Sequence, residues 1–170
     1  DDLQKNHRRL TYLPDQEQSG TWSRLFSSGR CLPTGVVAPI TIMQGCNNFC
    51  TYCIVPYVRG PERSRPVDEI ILESRLLVAG GAREILLLGQ NVNSYQGGTD
   101  RHVTFVHLLH RLQDETEGCL RLRFTTSHPK DLTDELITCF RELPALCKQL
   151  HLPFQAGSDR ILGRMNRGYT

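Results

Sequence analysis

The 170-residue chain is 39% hydrophobic and 22% charged with a formal net charge of +2, a composition that excludes a disordered or collagen-like chain and indicates a globular domain. A domain of this length buries about 70% of its unfolded surface, so a core forms without disulfide staples and the cysteines are free for other roles. The longest apolar runs, such as Ile85 to Leu88, are far too short to cross a bilayer, and an odd seven cysteines without a charged-then-apolar leader argue against export, so a cytoplasmic setting is expected.

Residues 1–35 read as an irregular approach segment or interdomain linker, because Pro14, Gly20, Gly29, Pro33 and Gly35 break any periodicity. Residues 36–170 repeat one unit four times: a short apolar run, a polar turn, then a helical period. The first run, Pro39 to Gln44, is followed by a helix with Pro66 in its first turn and Asp68 and Glu69 at its positive end. Its Val67, Ile70, Ile71, Ser74, Leu77 and Val78 recur at helical spacing until Gly80 and Gly81 end it. The second run, Glu84 to Gly89, precedes a helix capped by Thr104 and carrying Phe105, Leu108, Leu109 and Leu112. The third, Leu120 to Thr126, precedes one that begins at Thr133 with Leu136, Ile137 and Phe140, and the fourth, Lys148 to Phe154, one that begins at Ser158 with Ile161, Leu162 and Met165. Strand and helix in alternation predict a parallel sheet with right-handed crossovers. Within the third run Leu122 and Phe124 oppose Arg121, Arg123 and Thr125; within the fourth Leu150, Leu152 and Phe154 oppose Gln149, His151 and Pro153. Only one face is apolar, which favours a partial (β/α) barrel with a polar lumen over an open sheet covered on both faces.

In parallel α/β folds ligands gather where the strands end at their carboxyl termini, so the turns after each run are the candidate site. These turns hold Cys46 to Cys53, then Gln90-Asn91-Val92-Asn93, then Ser127-His128, then Gln155-Ala156-Gly157-Ser158. Cys46, Cys50 and Cys53 have the spacing to bind three corners of an iron–sulfur cubane and leave its fourth iron open. A zinc site and three buried thiols are the competing readings, although no second cysteine pair or nearby histidine completes a tetrahedral zinc set. Cys31, Cys119, Cys139 and Cys147 are scattered and read as core or incidental thiols, while His107 and His110 lie off the apolar stripe of their helix and read as surface residues. Basic charge comes from 17 arginines against 3 lysines; Arg59, Arg63 and Arg65 cluster after the cysteines, as phosphate contacts or as a solvated loop.

With the aromatic Tyr52 just before the third cysteine, this loop resembles the signature of the radical S-adenosylmethionine (SAM) enzymes. The segments Ile40 to Asn47, Arg59 to Arg65, Leu88 to Tyr95, Arg123 to Pro129 and His151 to Ser158 are similar to the methylthiotransferases, most of all to the MiaB type, which adds a methylthio group to C2 of N6-isopentenyladenosine in tRNA. The resemblance spans about residues 36–170. It implies the N-terminal part of a radical SAM barrel of about four βα units, with a [4Fe–4S] cluster on Cys46, Cys50 and Cys53 as the catalytic centre. S-adenosylmethionine would bind the open iron, and a 5′-deoxyadenosyl radical would remove the hydrogen from adenine C2. Tyr52 would lie beside the cofactor's adenine; Gln90, Asn91, Asn93, Ser127, His128 and Gln155 are the other candidate cofactor contacts, with His128 and His151 in positioning and not acid–base roles. For each polar residue, satisfying strand-end backbone groups is an equal alternative. Implied partners are tRNA, met by Arg59, Arg63 and Arg65, and an electron donor such as flavodoxin or ferredoxin, with no membrane.

Two departures from the family qualify this. The family's second, sulfur-donating cluster uses three cysteines of an N-terminal domain that this sequence does not supply, and the family barrel has about six strands, whereas this sequence reaches its fourth helix at Thr170. The chain is therefore expected to be a truncated piece that does not complete methylthiolation alone. Modification of a ribosomal-protein aspartate and a non-catalytic, zinc-stabilised RNA-binding module are the alternatives. The cysteine loop is expected to depend on its metal for order.

Overall fold

The computed structural model describes residues 35–97 and 103–170; the expected approach segment, apart from Gly35, and Cys31 lie outside the described residues. In chain order come β1 (Val37–Thr41), β2 (Met43–Gln44), α1 (Val55–Arg59), β3 (Arg63–Ser64), α2 (Val67–Ala79), β4 (Glu84–Leu88), β5 (Gln96–Gly97), β6 (Val103–Thr104), α3 (Phe105–Glu115), β7 (Arg121–Phe124), α4 (Asp134–Glu142) and α5 (Asp159–Arg164). Single 3-10 turns at Val92–Ser94 and Pro129–Asp131 follow β4 and β7. The described residues belong to one compact unit, 32–170.

Strands β1, β4 and β7 form a parallel sheet in that order, with Ala38 level with Ile85 and Ile85 level with Leu122. Because side chains alternate across a strand, this register stacks Ala38, Ile40, Ile85, Leu87, Leu122 and Phe124 on one face, and all six are buried. Helices α2, α3 and α4 pack side by side, and their Ile70, Ile71, Leu108, Leu109 and Leu136 join the same core. Each such fully buried aliphatic side chain contributes about 1.5–3 kcal/mol relative to exposure.

The opposite face carries Val37, Pro39, Thr41, Leu86, Leu88, Arg121 and Arg123, all exposed or half-buried. At its amino end buried Glu84 accepts from Arg121 Nε at 3.0 Å and from Arg123 Nη1 at 2.8 Å, which neutralises a carboxylate that burial alone would penalise. Helices on one face and polar residues on the other are the arrangement of a partial barrel wall.

Three expectations change. The fourth run does not form a strand. It touches β7 through one parallel bridge, Leu122 to Leu146, with Leu122 N donating to Ala145 O at 2.7 Å and Cys147 N to Leu122 O at 2.9 Å, and again where Ser127 N donates to His151 O at 3.2 Å. Thr126, just ahead of the second contact, adopts a left-handed conformation (φ 68°), and beyond that contact Pro153 has no N–H to donate. Phe154, expected on the apolar face, is 66% exposed. In α4 the buried stripe runs through Leu136 and Cys139, while Ile137 is exposed. His107 is exposed as expected, whereas His110 is half-buried with Nε2 3.8 Å from Cys139 Sγ.

Candidate active site

The chain leaves the sheet at Ile42, whose N–H still donates to Leu88 O while its carbonyl accepts from Arg65 N, and β2 then pairs antiparallel with β3 through Met43–Ser64 and Gln44–Arg63. This pairing closes the base of the cysteine loop. Gly45 sits at the neck with φ 78°; a Cβ there would lie 2.0 Å from Pro61 O, so only glycine fits. Its N–H donates to Gln90 Oε1 at 2.7 Å, and Cys46 N donates to Gly60 O at 3.1 Å. Asn47 Oδ1 accepts from Glu62 N at 3.1 Å. The loop thus begins at the carboxyl edge of β1 and is tied to the turn after β4.

Cys46 and Cys50 are buried and Cys53 is half-buried, with Cys53 N donating to Cys50 O at 2.9 Å. Burial pushes the Cys46 thiol up, and Glu62, Cys50 and Cys53 add to that shift. A thiol held protonated in this way gives up its proton to a metal, so metal uptake rises with pH. Among the described residues no three Cys, His, Asp or Glu side chains are arranged to hold a single ion. Three thiols on one short loop instead suit a larger body that takes one thiolate at each of three iron corners, and the donor set fits an iron–sulfur cluster.

The far end of the chain reaches this loop, a contact that spacing did not foretell. After α5, Met165 O accepts from Thr51 N at 3.2 Å, and Arg164 O accepts from Thr51 Oγ1 at 3.2 Å. Asn166 Nδ2 donates to Phe49 O at 3.0 Å. Arg167 is buried; its Nη1 lies 3.3 Å from Cys50 Sγ and 3.1 Å from Tyr52 Oη, its Nη2 donates to Pro153 O at 2.9 Å, and its Nε donates to Tyr169 Oη at 3.2 Å. Tyr169 Oη in turn donates to Phe154 O at 2.7 Å. These contacts tie the cysteine loop to the segment that follows α5. The only signal in sequence was the polar run Asn166-Arg167-Gly168-Tyr169 directly after a helix.

The remaining candidates separate into two groups. Gln90 and Asn93 hold loops together: Gln90 takes Gly45 N, and Asn93 makes a reciprocal pair with the His128 backbone, its Oδ1 accepting at 2.9 Å and its Nδ2 donating at 2.9 Å. By contrast, Asn91 Oδ1, Ser127 Oγ and His128 Nε2 are buried without a hydrogen-bond partner among the described residues, although Asn91 Nδ2 donates to Asp131 Oδ2 at 2.7 Å. His128 Nδ1 accepts from Lys130 N at 3.2 Å, which leaves the proton on Nε2. Buried polar atoms of this kind are normally bonded, so these three suit an added ligand. Burial, with Arg167 as the next contribution, holds His128 down at about 4, hence neutral. Gln155 is exposed at φ 66°, and His151 Nδ1 accepts from Thr126 N at 3.0 Å. Phe49, Thr126, Gln155 and Asn166 are the non-glycine residues with positive φ among the described residues, and all four belong to these loops.

Of the arginines, Arg59 and Arg63 are exposed. Arg65 turns inward: its Nη1 lies 2.7 Å from Glu73 and donates to Thr41 O at 2.8 Å. An open groove of about 1240 Å³, lined in part by Asn47, Glu62, Arg63, Asn93, Lys130 and Asp131, runs beside the cysteine loop.

The model of the radical SAM superfamily matches residues 40–170. The chain belongs to the radical SAM superfamily. Among its relatives, tRNA-2-methylthio-N(6)-dimethylallyladenosine synthase of Syntrophobacter fumaroxidans is 56% identical over 173 residues, covering 100% of this chain and 37% of that protein. The synthase of the same name from Geobacter metallireducens is 53% identical over 169 residues, covering 99% and 35%. The chain thus spans about a third of the length of these relatives. Among solved structures, the radical SAM methyltransferase TsrM of Kitasatospora setae, with cobalamin and a [4Fe–4S] cluster bound, aligns at a TM-score of 0.57 with 18% identity over 74% of this chain and 24% of that one. At this identity the likeness concerns the fold, and it agrees with a partial radical SAM barrel.

Proposed function

We propose that this chain carries the cluster-binding part of the catalytic barrel of a tRNA adenosine methylthiotransferase, which places a methylthio group on C2 of N6-isopentenyladenosine. The observation that carries the reading is the loop of Cys46, Cys50 and Cys53 at the carboxyl edge of a parallel sheet, in a chain 53–56% identical to two synthases named for that product. When bound, a [4Fe–4S] cluster and S-adenosylmethionine supply the one-electron cleavage that opens the reaction. Cys46, Cys50 and Cys53 hold the cluster. Tyr52, half-exposed on the same loop, offers its ring to the cofactor's adenine. Asn91 Oδ1, Ser127 Oγ and the His128 Nε2 proton are the unsatisfied groups available to the methionine or ribose, with Gln155 at the rim; Gln90 and Asn93 act through the loops that they join. Neutral His128 donates a hydrogen bond and moves no proton. Arg59 and Arg63 meet tRNA phosphates, a role that the Glu73 pairing denies Arg65.

The partners in this reading are tRNA and a low-potential electron carrier such as flavodoxin or ferredoxin, in the cytoplasm; among the described residues no helix is long and apolar enough to cross a membrane. In this reading the residues of this chain account for cluster binding and cofactor cleavage, within about a third of the length of the relatives. The test is anaerobic reconstitution with iron and sulfide, then assay of 5′-deoxyadenosine from S-adenosylmethionine and dithionite. Wild type is expected to form it and Cys50→Ala to form none; a folded wild-type chain that takes up zinc but no iron with acid-labile sulfide would overturn the proposal.

A further inference from the structure

We infer that Arg167 is a positioning residue for the cluster: it supplies the positive charge that faces the Cys50 ligand and favours the cluster's reduced state. The inference rests on the cluster reading above and adds a residue that no cysteine motif contains. Arg167 is 6% exposed, yet among the described residues no carboxylate pairs with it. A guanidinium is always charged, and burying one without a counter-charge is costly. Its polar neighbours are the Pro153 carbonyl ahead of α5, the Tyr169 phenol two residues on, and two groups of the cysteine loop, Tyr52 Oη and Cys50 Sγ at 3.3 Å. Of these, only Cys50 becomes an anion when it ligates iron. The counter-charge that the site lacks is therefore the thiolate–cluster unit itself.

The fork geometry explains why the residue is arginine. Nη1 reaches the cysteine loop while Nη2 and Nε are fixed by Pro153 O and Tyr169 Oη, so the charge is held in place by three separate segments, one of them 117 residues away in sequence. Tyr169 is fixed in turn by Phe154 O and by an edge contact with the His128 ring at 5.5 Å. The consequence concerns the electron and not the bonds to iron. One-electron reduction of the cluster by a low-potential donor, dithionite in the assay, adds one negative charge to the unit that Arg167 faces. Hydrogen bonds and charge at ligating sulfurs are a principal control of such potentials, and a fixed cation stabilises the reduced form more than the oxidised one.

The experiment uses the 170-residue chain reconstituted anaerobically, with iron and sulfide counted and the midpoint potential read by a titration followed by the electron paramagnetic resonance of the reduced cluster. Arg167→Gln keeps a planar donor but removes the charge. It is expected to bind iron and to be reduced with an equilibrium constant at least tenfold smaller, about 59 mV more negative for one electron. Arg167→Lys retains the charge without the fork and is expected to fall between the two. An Arg167→Gln cluster with the wild-type midpoint would overturn the inference and leave the cluster reading intact. Should Arg167→Gln hold no cluster, Arg167→Lys decides: because it keeps the charge, a cluster with a midpoint less than about 59 mV from wild type supports the inference, and a larger shift or the absence of a cluster in the folded variant overturns it. A folded wild-type chain without cluster would overturn both readings together.

Discussion

His128 shows how one buried side chain sets a pH dependence. Burial and the nearby Arg167 hold it at about 4, below its ordinary 6.5, so between those values the unfolded chain binds a proton that the folded chain refuses. Its contribution is complete above pH 6.5 and is lost as pH falls toward 4, with a slope of up to about 1.4 kcal/mol per pH unit. Urea unfolding midpoints across this range are expected to fall with acid in the wild type and to flatten in His128→Asn; parallel curves would show that the ring is solvated. Arg65 and its neighbours separate in the same manner. Arg65→Ala leaves Glu73 buried without its partner and is expected to cost about 3 kcal/mol. Arg59→Ala and Arg63→Ala are expected to leave stability unchanged and each to lower the log–log salt slope of tRNA binding by about 1. Equal stability loss at all three positions would contradict this division. In sequence the three arginines look alike, because spacing alone does not say which of them meets a carboxylate from the next helix.

At the scale of the elements, local chemistry was legible where it is self-contained. Thr104 and Thr133 were expected to start helices, and their hydroxyls accept from His107 N and Leu136 N. Ser158 was expected to do the same and makes no such bond. Thr133→Ala should therefore cost about 1 kcal/mol while Ser158→Ala costs only about a few tenths, read from chemical denaturation; a comparable loss at both sites would mean that the Ser158 hydroxyl caps after all. The fourth run was read as a strand because Leu150, Leu152 and Phe154 alternate, but alternation is a necessary and not a sufficient condition. A strand needs continuous partners, and this segment meets β7 only through the lone bridge of Leu122 to Leu146 among the described residues.

At the scale of the whole molecule, the decisive feature is a sheet that, among the described residues, carries helices on one face. Ile40 on the helix side is fully buried, whereas Val37 on the other side of the same strand is 45% exposed. Ile40→Ala is thus expected to cost about 2–4 kcal/mol and Val37→Ala less than about 1 kcal/mol, measured as unfolding free energies; similar values would mean that both faces are covered in solution. The sequence by itself determined the βα alternation, the apolar face, the helix starts and the three-cysteine loop, because hydrophobic period, capping and ligand spacing are encoded within short stretches of chain. The tertiary structure alone decided that Arg65 points inward, that Asn93 clamps the His128 backbone, and that Arg167 reaches Cys50 from across the unit. Those relations join residues that are near only after the chain has closed on itself, and a charge reveals its role only when the fold shows which opposite charge it is denied.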